Sequence, residues 1–277
     1  MSIKDIMAIV LEAQADAPTL AAARELASAF AGRARALMIE VTPDPVYVPH
    51  GYAMAHMWGP VAEAAHAAFA AERKKVEQLI ASEADSIVLT SSSVQAGFAE
   101  ERAAIEARLA DIVVIGRPED GGIGNKLFEG ALFGSGRPVL LVPSDWKRAP
   151  IGQKVVIGWN ARREAARAVA AASPFLDRAR EIAIVTVDAK PSDAGHGHAP
   201  GADLAAHLAR RGQRAEVRNA DGLGRAEGRA ILDECAALDA DLLVIGGYGR
   251  SRLQQRVFGG VTSSILAQAR LPVLFAH

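Results

Sequence analysis

The chain has 277 residues, half of them hydrophobic, with 31 Lys and Arg against 32 Asp and Glu, for a formal net charge of -1. That length suits two domains of roughly 100–150 residues, and the charge balance gives no electrostatic reason to expect nucleic acid or an anionic membrane as partner. No apolar run approaches the roughly 20 residues of a membrane span, and the start MSIKDIMAIVLEAQ lacks the basic region and cleavage site of a signal peptide. The expectation is a soluble, cytoplasmic protein, and the single cysteine, Cys235 in the helical stretch ILDECAAL, reads as a small core residue.

In chain order, an apolar run at Ile6–Leu11 reads as a strand, Leu20–Phe30 as a helix and Ala36–Val41 as a second strand. A loop with Pro43, Pro45 and Pro49 follows, then an Ala-rich helix from about Val61 to Glu83. Ser86–Thr90 is predicted as the third strand, Ala99–Leu109 as a helix, Ile112–Gly116 as the fourth strand and Pro138–Val142 as the fifth. The stretch 145–153, with Pro150 and Gly152, is the linker, dividing the chain into domains 1–146 and 147–277.

The second half repeats the order. Strands are predicted at Lys154–Trp159, Ile182–Val187, Ala215–Arg218, Leu242–Gly246 and Pro272–Phe275, with helices at Arg163–Ala172, Asp203–Arg211, Ala226–Leu238 and Val261–Ala269. The repeat is visible residue by residue. Ala110-Asp111-Ile112-Val113-Val114-Ile115-Gly116 matches Ala240-Asp241-Leu242-Leu243-Val244-Ile245-Gly246 at five of seven positions, an offset of 246 minus 116, or 130 residues. Strands that are continuous apolar runs, alternating with helices, predict an α/β fold of two tandem open parallel sheets, each five-stranded with helices on both faces.

The fourth strand of the second copy runs into a glycine-rich loop, DLLVIGGYGRSRLQQRVFGGVT. Glycine lets the backbone take positive φ and lets a ligand approach where a Cβ would block it. Gly259 and Gly260 lead into a helix whose first N–H groups have no partner within it, an arrangement that suits an anionic group such as phosphate. Arg250, Arg252 and Arg256 add charge to the same stretch.

Gly246, Gly249 and Gly259 form G-x2-G-x9-G, followed by Gly260-Val261-Thr262, and at these residues the chain resembles the universal stress protein family. That resemblance implies the strand order 3-2-1-4-5 and a binding site for ATP or AMP, with or without Mg. It also implies pairing of domains through their fifth strands, within the chain or in a homodimer. Gly246, Gly249, Arg250, Gly259, Gly260, Val261 and Thr262 fall on the ribose- and phosphate-cradling loop, Val187 on the end of strand two that reads the adenine edge, and Asn160 on a position where the family usually has Asp. A further departure is Gly260, where ATP-binding members carry Ser or Thr. In the first half the position matching Gly249 is Glu119, followed by Asp120, and like charge disfavours phosphate there. The first half is therefore expected to be a degenerate partner domain.

No G-x4-G-K-[ST] and no G-x-S-x-G occurs. Gly222-Leu223-Gly224-Arg225-Ala226-Glu227-Gly228 has the wrong spacing for a dinucleotide fingerprint. His196, His198 and His207 form a loose set without supporting Cys or carboxylates, so no metal site is assigned. Tyr47, Tyr52, Met54, Met57 and Trp58, flanked by His50, His56 and His66, read as an apolar set covering a sheet edge or a dimer partner. Phosphoryl transfer needs a metal held by carboxylates; with Asn160 after strand one and Asp241 at the far end of strand four, no catalytic residue is assigned. The expectation is a regulatory, non-catalytic nucleotide-binding module, against a slow ATP-hydrolysing or phosphate-transferring enzyme or a scaffold that has lost nucleotide binding.

Overall fold

The computed structural model describes residues 2–44, 52–82, 87–119, 121–192, 196–224, 226–247 and 260–277, and side chains within the segment from 52 begin at 59. The chain divides into two compact units, Lys4–Arg137 and Pro138–His277 together with Met1–Ile3.

In the first unit β1 (Asp5–Ile9), α1 (Ala17–Phe30), β2 (Arg33–Thr42), α2 (Tyr52–Ala81), β3 (Val88–Gln95), α3 (Ala99–Ala107), β4 (Ile112–Gly116) and α4 (Ile123–Glu129) follow one another. The strands pair in parallel in the order β3-β2-β1-β4. The inner strands are buried along nearly their whole length, Ile6 to Ile9 and Ile112 to Ile115, as strands covered on both faces must be. β3 has one strand neighbour, β2, and alternates in exposure, so the polar run Ser91–Ser93 continues it beyond the predicted end at Thr90. α2 begins at Tyr52 rather than near Val61 and carries Pro60 inside it, so Tyr52, Met54, His56, Met57 and Trp58 lie on a helix. Their side chains, with Tyr47 and His50, fall outside the described residues. His66, further along α2, meets Glu40 Oε1 through Nδ1 at 2.7 Å.

The second unit holds β5 (Val139–Val142), β6 (Lys154–Gly158), α5 (Arg163–Ala171), α6 (Ser173–Leu176), β7 (Glu181–Val187), α7 (Ala202–Ala209), β8 (Glu216–Ala220), α8 (Glu227–Ala237), β9 (Leu242–Gly246), α9 (Gly260–Gln268) and β10 (Val273–Ala276). Five of its strands are parallel in the order β8-β7-β6-β9-β10, and β5 joins β10 antiparallel, Leu140 opposite Leu274. The expected 3-2-1-4-5 arrangement therefore holds for the second copy's own strands, and the first copy's fifth strand pairs antiparallel with the second copy's, the fifth-strand pairing within the chain that the family resemblance implies. An outer strand leaves a row of N–H and C=O groups unpaired, and β5 and β10 satisfy one another's. Both are buried at every position.

The repeated Ala-Asp pair has a structural role in each unit. Asp111 Oδ2 accepts from the backbone N–H of Lys4 and Asp5 at 2.7 and 3.0 Å, and Asp241 accepts from Gly152, Gln153 and Lys154 at 2.7 to 3.1 Å. Each carboxylate thus ties the start of a fourth strand to the start of the first. Burial raises the Asp241 pKa against those three N–H donors. At Asp111 burial pushes the same way, but the N–H groups of Asp5 and Lys4 together with Arg137 outweigh it, and the pKa is lowered.

Candidate functional site

Three strand ends define the site. Gly158 of β6 is in register with Val185 of β7, and Ile157 with Val244 of β9; the next residue, Trp159, donates its N–H to Val185 O at 2.8 Å. β6, β7 and β9 therefore finish together, and the order β7-β6-β9 is where the sheet reverses, the place where ligands bind in open α/β sheets. Close packing demands glycine at two of these ends. A Cβ on Gly158 would lie 2.8 Å from Ile245 Cγ2, and one on Gly246 would lie 2.6 Å from both Ala165 N and Glu164 C in the first turn of α5.

Beyond these ends lies a cavity of about 540 Å³. Asn160, Val187, Gly246, Gly260, Val261 and Thr262, all singled out from the sequence, are in its wall. Gly249, Arg250 and Gly259, with Arg252 and Arg256, lie outside the described residues. The first turn of α9 supplies three of the six. Gly260 is exposed with nothing within 4 Å of where a Cβ would be, whereas Thr262 is buried. Asn160 Oδ1 accepts from Arg162 N at 3.2 Å, which shapes the turn between β6 and α5.

The fold also brings in residues that spacing did not reveal. Arg162 and Lys190 contribute positive charge to the wall, and Asp188 and Glu227 negative charge. The acids correct the expectation that no carboxylate lies near the loop, with Asp241 at the far end of strand four: Asp188 follows β7 and Glu227 opens α8, segments separated in sequence that the fold brings to one cavity. Asp188 Oδ1 accepts from Gly222 N at 3.0 Å, and a Cβ on Gly222 would collide with the Asp188 carboxylate. Gly228 lies inside α8, where a Cβ would stand 2.7 Å from Val261 O, so Gly222 and Gly228 serve close packing, whereas Gly224 has open space around it and a φ of +71°.

The histidines do not gather. His196 is in the wall of this cavity, its Nδ1 buried without a hydrogen-bond partner; His207 lies on α7 in the wall of a second cavity, and His198 is exposed. Among the described residues no group of three His, Cys, Asp or Glu side chains is placed to hold a metal ion. Cys235 is 2 % exposed, and burial pushes its thiol up to about 12, so it is protonated and inert at neutral pH. No helix among the described residues is long and apolar enough to cross a membrane.

The family model of the Universal stress protein family matches residues 153–277. Among solved structures, a universal stress protein from Archaeoglobus fulgidus is similar over 98% of this chain and 97% of its own, at 14% identity and a TM-score of 0.65. A functionally unknown protein from Pseudomonas aeruginosa is similar over 99% and 92%, at 14% identity and a TM-score of 0.53. A universal stress protein in complex with cAMP aligns with 45% of this chain and 97% of its own, at 25% identity and a TM-score of 0.35. No curated protein matches the sequence. The α/β units, strand order and glycine-lined strand ends agree with the family match, and residues 153–277 of this chain are a universal stress protein domain.

Proposed function

We propose that the second half binds an adenine nucleotide, ATP or AMP, as a regulatory ligand, with the first half as a partner domain that has lost its site. The observation that carries this reading is the cavity at the ends of β6, β7 and β9, with the first turn of α9 in its wall. Its volume falls within the range of roughly 300–1,000 Å³ usual for small-molecule sites. The N–H groups in the first turn of α9, which have no partner within the helix, suit an anion, and Arg162 and Lys190 add positive charge. Val187, in the same wall, is the residue whose backbone would meet the base edge. Such a ligand acts as a signal by its preference for one conformation over another. The proposal includes a cytoplasmic stress-response role, domains divided near residue 146, and pairing with a second copy.

One observation favours a second reading. Asp188 and Glu227 line the same cavity, and two carboxylates are the groups that hold a divalent metal for phosphoryl transfer. Asp188 already accepts from the Gly222 N–H, which restrains it in the turn after β7.

Isothermal titration of the full chain with ATP, AMP and ADP, with and without magnesium, separates the two. Heat corresponding to one site per chain, with nucleotide recovered intact after incubation, supports the regulatory reading. Product released over repeated turnovers supports the enzyme, and no heat with any nucleotide rejects both in favour of a scaffold.

A further inference from the structure

We propose that the second unit carries another ligand site, between α5, α6 and α7, which takes an uncharged aromatic or alicyclic molecule bearing one O–H or N–H donor. It is a cavity of about 500 Å³, distinct from the one described above and sharing with it only Trp159. Val169, Leu176, Leu204 and Leu208, all buried, make most of its wall aliphatic, so an apolar body is favoured there.

The polar requirement comes from Gln213. This wall residue is 7 % exposed, and its Oε1 is buried without a hydrogen-bond partner. Its Nε2 donates to Asp177 Oδ1 at 2.5 Å. A carboxylate only accepts, so that bond orients the amide and leaves the oxygen as the atom in need of a donor. Buried acceptors in folded proteins are almost always satisfied, and a hydroxyl or amine entering the cavity is the group that would satisfy this one.

Charge at the rim argues against an ionic ligand. α7 presents Asp203, and Arg211 follows just after the helix, one charge of each sign, and Arg211 Nη2 is already bonded to Ser173 Oγ at 2.7 Å. His207 lies between them in sequence. None of these residues belongs to the nucleotide proposal, and the inference stands whether or not a nucleotide binds.

The test is an NMR titration of the ¹⁵N-labelled chain with 4-ethylphenol, 4-ethylanisole and 4-ethylbenzoate, following the Trp159 indole N–H, assigned with Trp159→Phe. The ether keeps the ring and oxygen and replaces the donor hydrogen with a methyl group. The expected result is saturable binding of the phenol, at least ~5-fold tighter than the ether or the carboxylate. Gln213→Leu should bring the phenol down to the level of the ether. Ala170 is an exposed position of α5 at the cavity, so Ala170→Trp can fill the space without disturbing the core, and it should abolish binding while the melting temperature is retained. No saturable shift in the wild type, equal affinity for phenol and ether, tighter binding of the carboxylate, or undiminished binding in a folded Ala170→Trp variant would each overturn the proposal.

Discussion

The two units answer the same local problem, how to leave the first strand and enter the first helix, in opposite ways. In the first unit Asp16 fills the turn. Its Oδ2 accepts from the N–H groups of Leu11 and Glu12 at 2.7 and 3.1 Å, Thr19 Oγ1 donates to its Oδ1 at 3.3 Å, and a Cβ on Gly116 would come within 2.6 Å of Oδ1. Leu11 completes the filling, with Cδ1 at 3.3 Å from where a Cβ on Gly124 of α4 would stand. In the second unit the corresponding turn, Asn160 to Arg162, faces a cavity, and the helix after the fourth strand starts on the open residue Gly260. Between the fourth strand and the fifth lie 22 residues in one copy, 117–138, and 26 in the other, 247–272. A buried carboxylate and a leucine occupy one site; space and a longer connection mark the other. One fold can thus keep its architecture and change its capacity for ligand through a few side chains at the strand ends.

The largest expected effect tests which copy binds. Gly249→Glu, which copies the first unit's Glu119, places a carboxylate against the phosphates and should weaken nucleotide binding at least ~100-fold by titration. Unchanged affinity would remove the second unit's claim to the site.

A second substitution compares the strand ends directly. At Gly246 an added methyl meets backbone atoms of α5, which cannot step aside; at Gly116 it meets the tip of the Asp16 side chain. Gly246→Ala should lose about 1–3 kcal/mol in urea unfolding, and Gly116→Ala less. Equal losses would mean that Asp16 is held as firmly as backbone.

Gly260→Ser should act in the other direction. There is room for the side chain, and a hydroxyl bonded to a charged phosphate contributes about 1.5–3 kcal/mol, so ATP affinity should rise ~10-fold or more by calorimetry. No gain would show that α9's first residue does not reach the phosphates.

The smallest effect separates the paired aspartates by pH. Asp111 has a folded pKa below its ordinary 3.8, so it contributes stability above that value that is lost as pH falls through the folded pKa. Asp241 has its pKa raised above 3.8, so protonation on acidification favours the folded state at that residue. Urea midpoints measured from pH 7 to 3 should show the advantage of the wild type over Asp111→Asn shrinking as pH falls, while the difference from Asp241→Asn moves the opposite way. Parallel trends would contradict this assignment.

Much of the architecture was legible because its signals are local. Short continuous apolar runs such as Ile112–Ile115 and Leu242–Ile245, closed by glycine, read as strands buried on both faces, and the repeated Ala-Asp start and glycine end mark both copies. The glycines at 246 and 260 and the polar residue at 160 were likewise readable, since each punctuates an element. The reach of β3 through Ser91–Ser93 was not, because polar serines suit a strand only where alternate positions are exposed. Nor was the start of α2 at Tyr52, which a proline-rich approach obscured. Asp188, Lys190, His196 and Glu227 carry no motif; parallel pairing and a crossover bring them together from different segments.

Order of elements, their periodicity, the doubling and the candidate loop were determined by the sequence itself, since helix and strand periods are properties of neighbouring residues. Only the tertiary structure decided that the fifth strands pair within the chain, that Asp16 and Leu11 fill one turn while its counterpart faces a cavity, and that Gln213 holds an unpaired oxygen beside α7. These depend on distances between residues far apart in the chain, which packing sets and local composition does not encode.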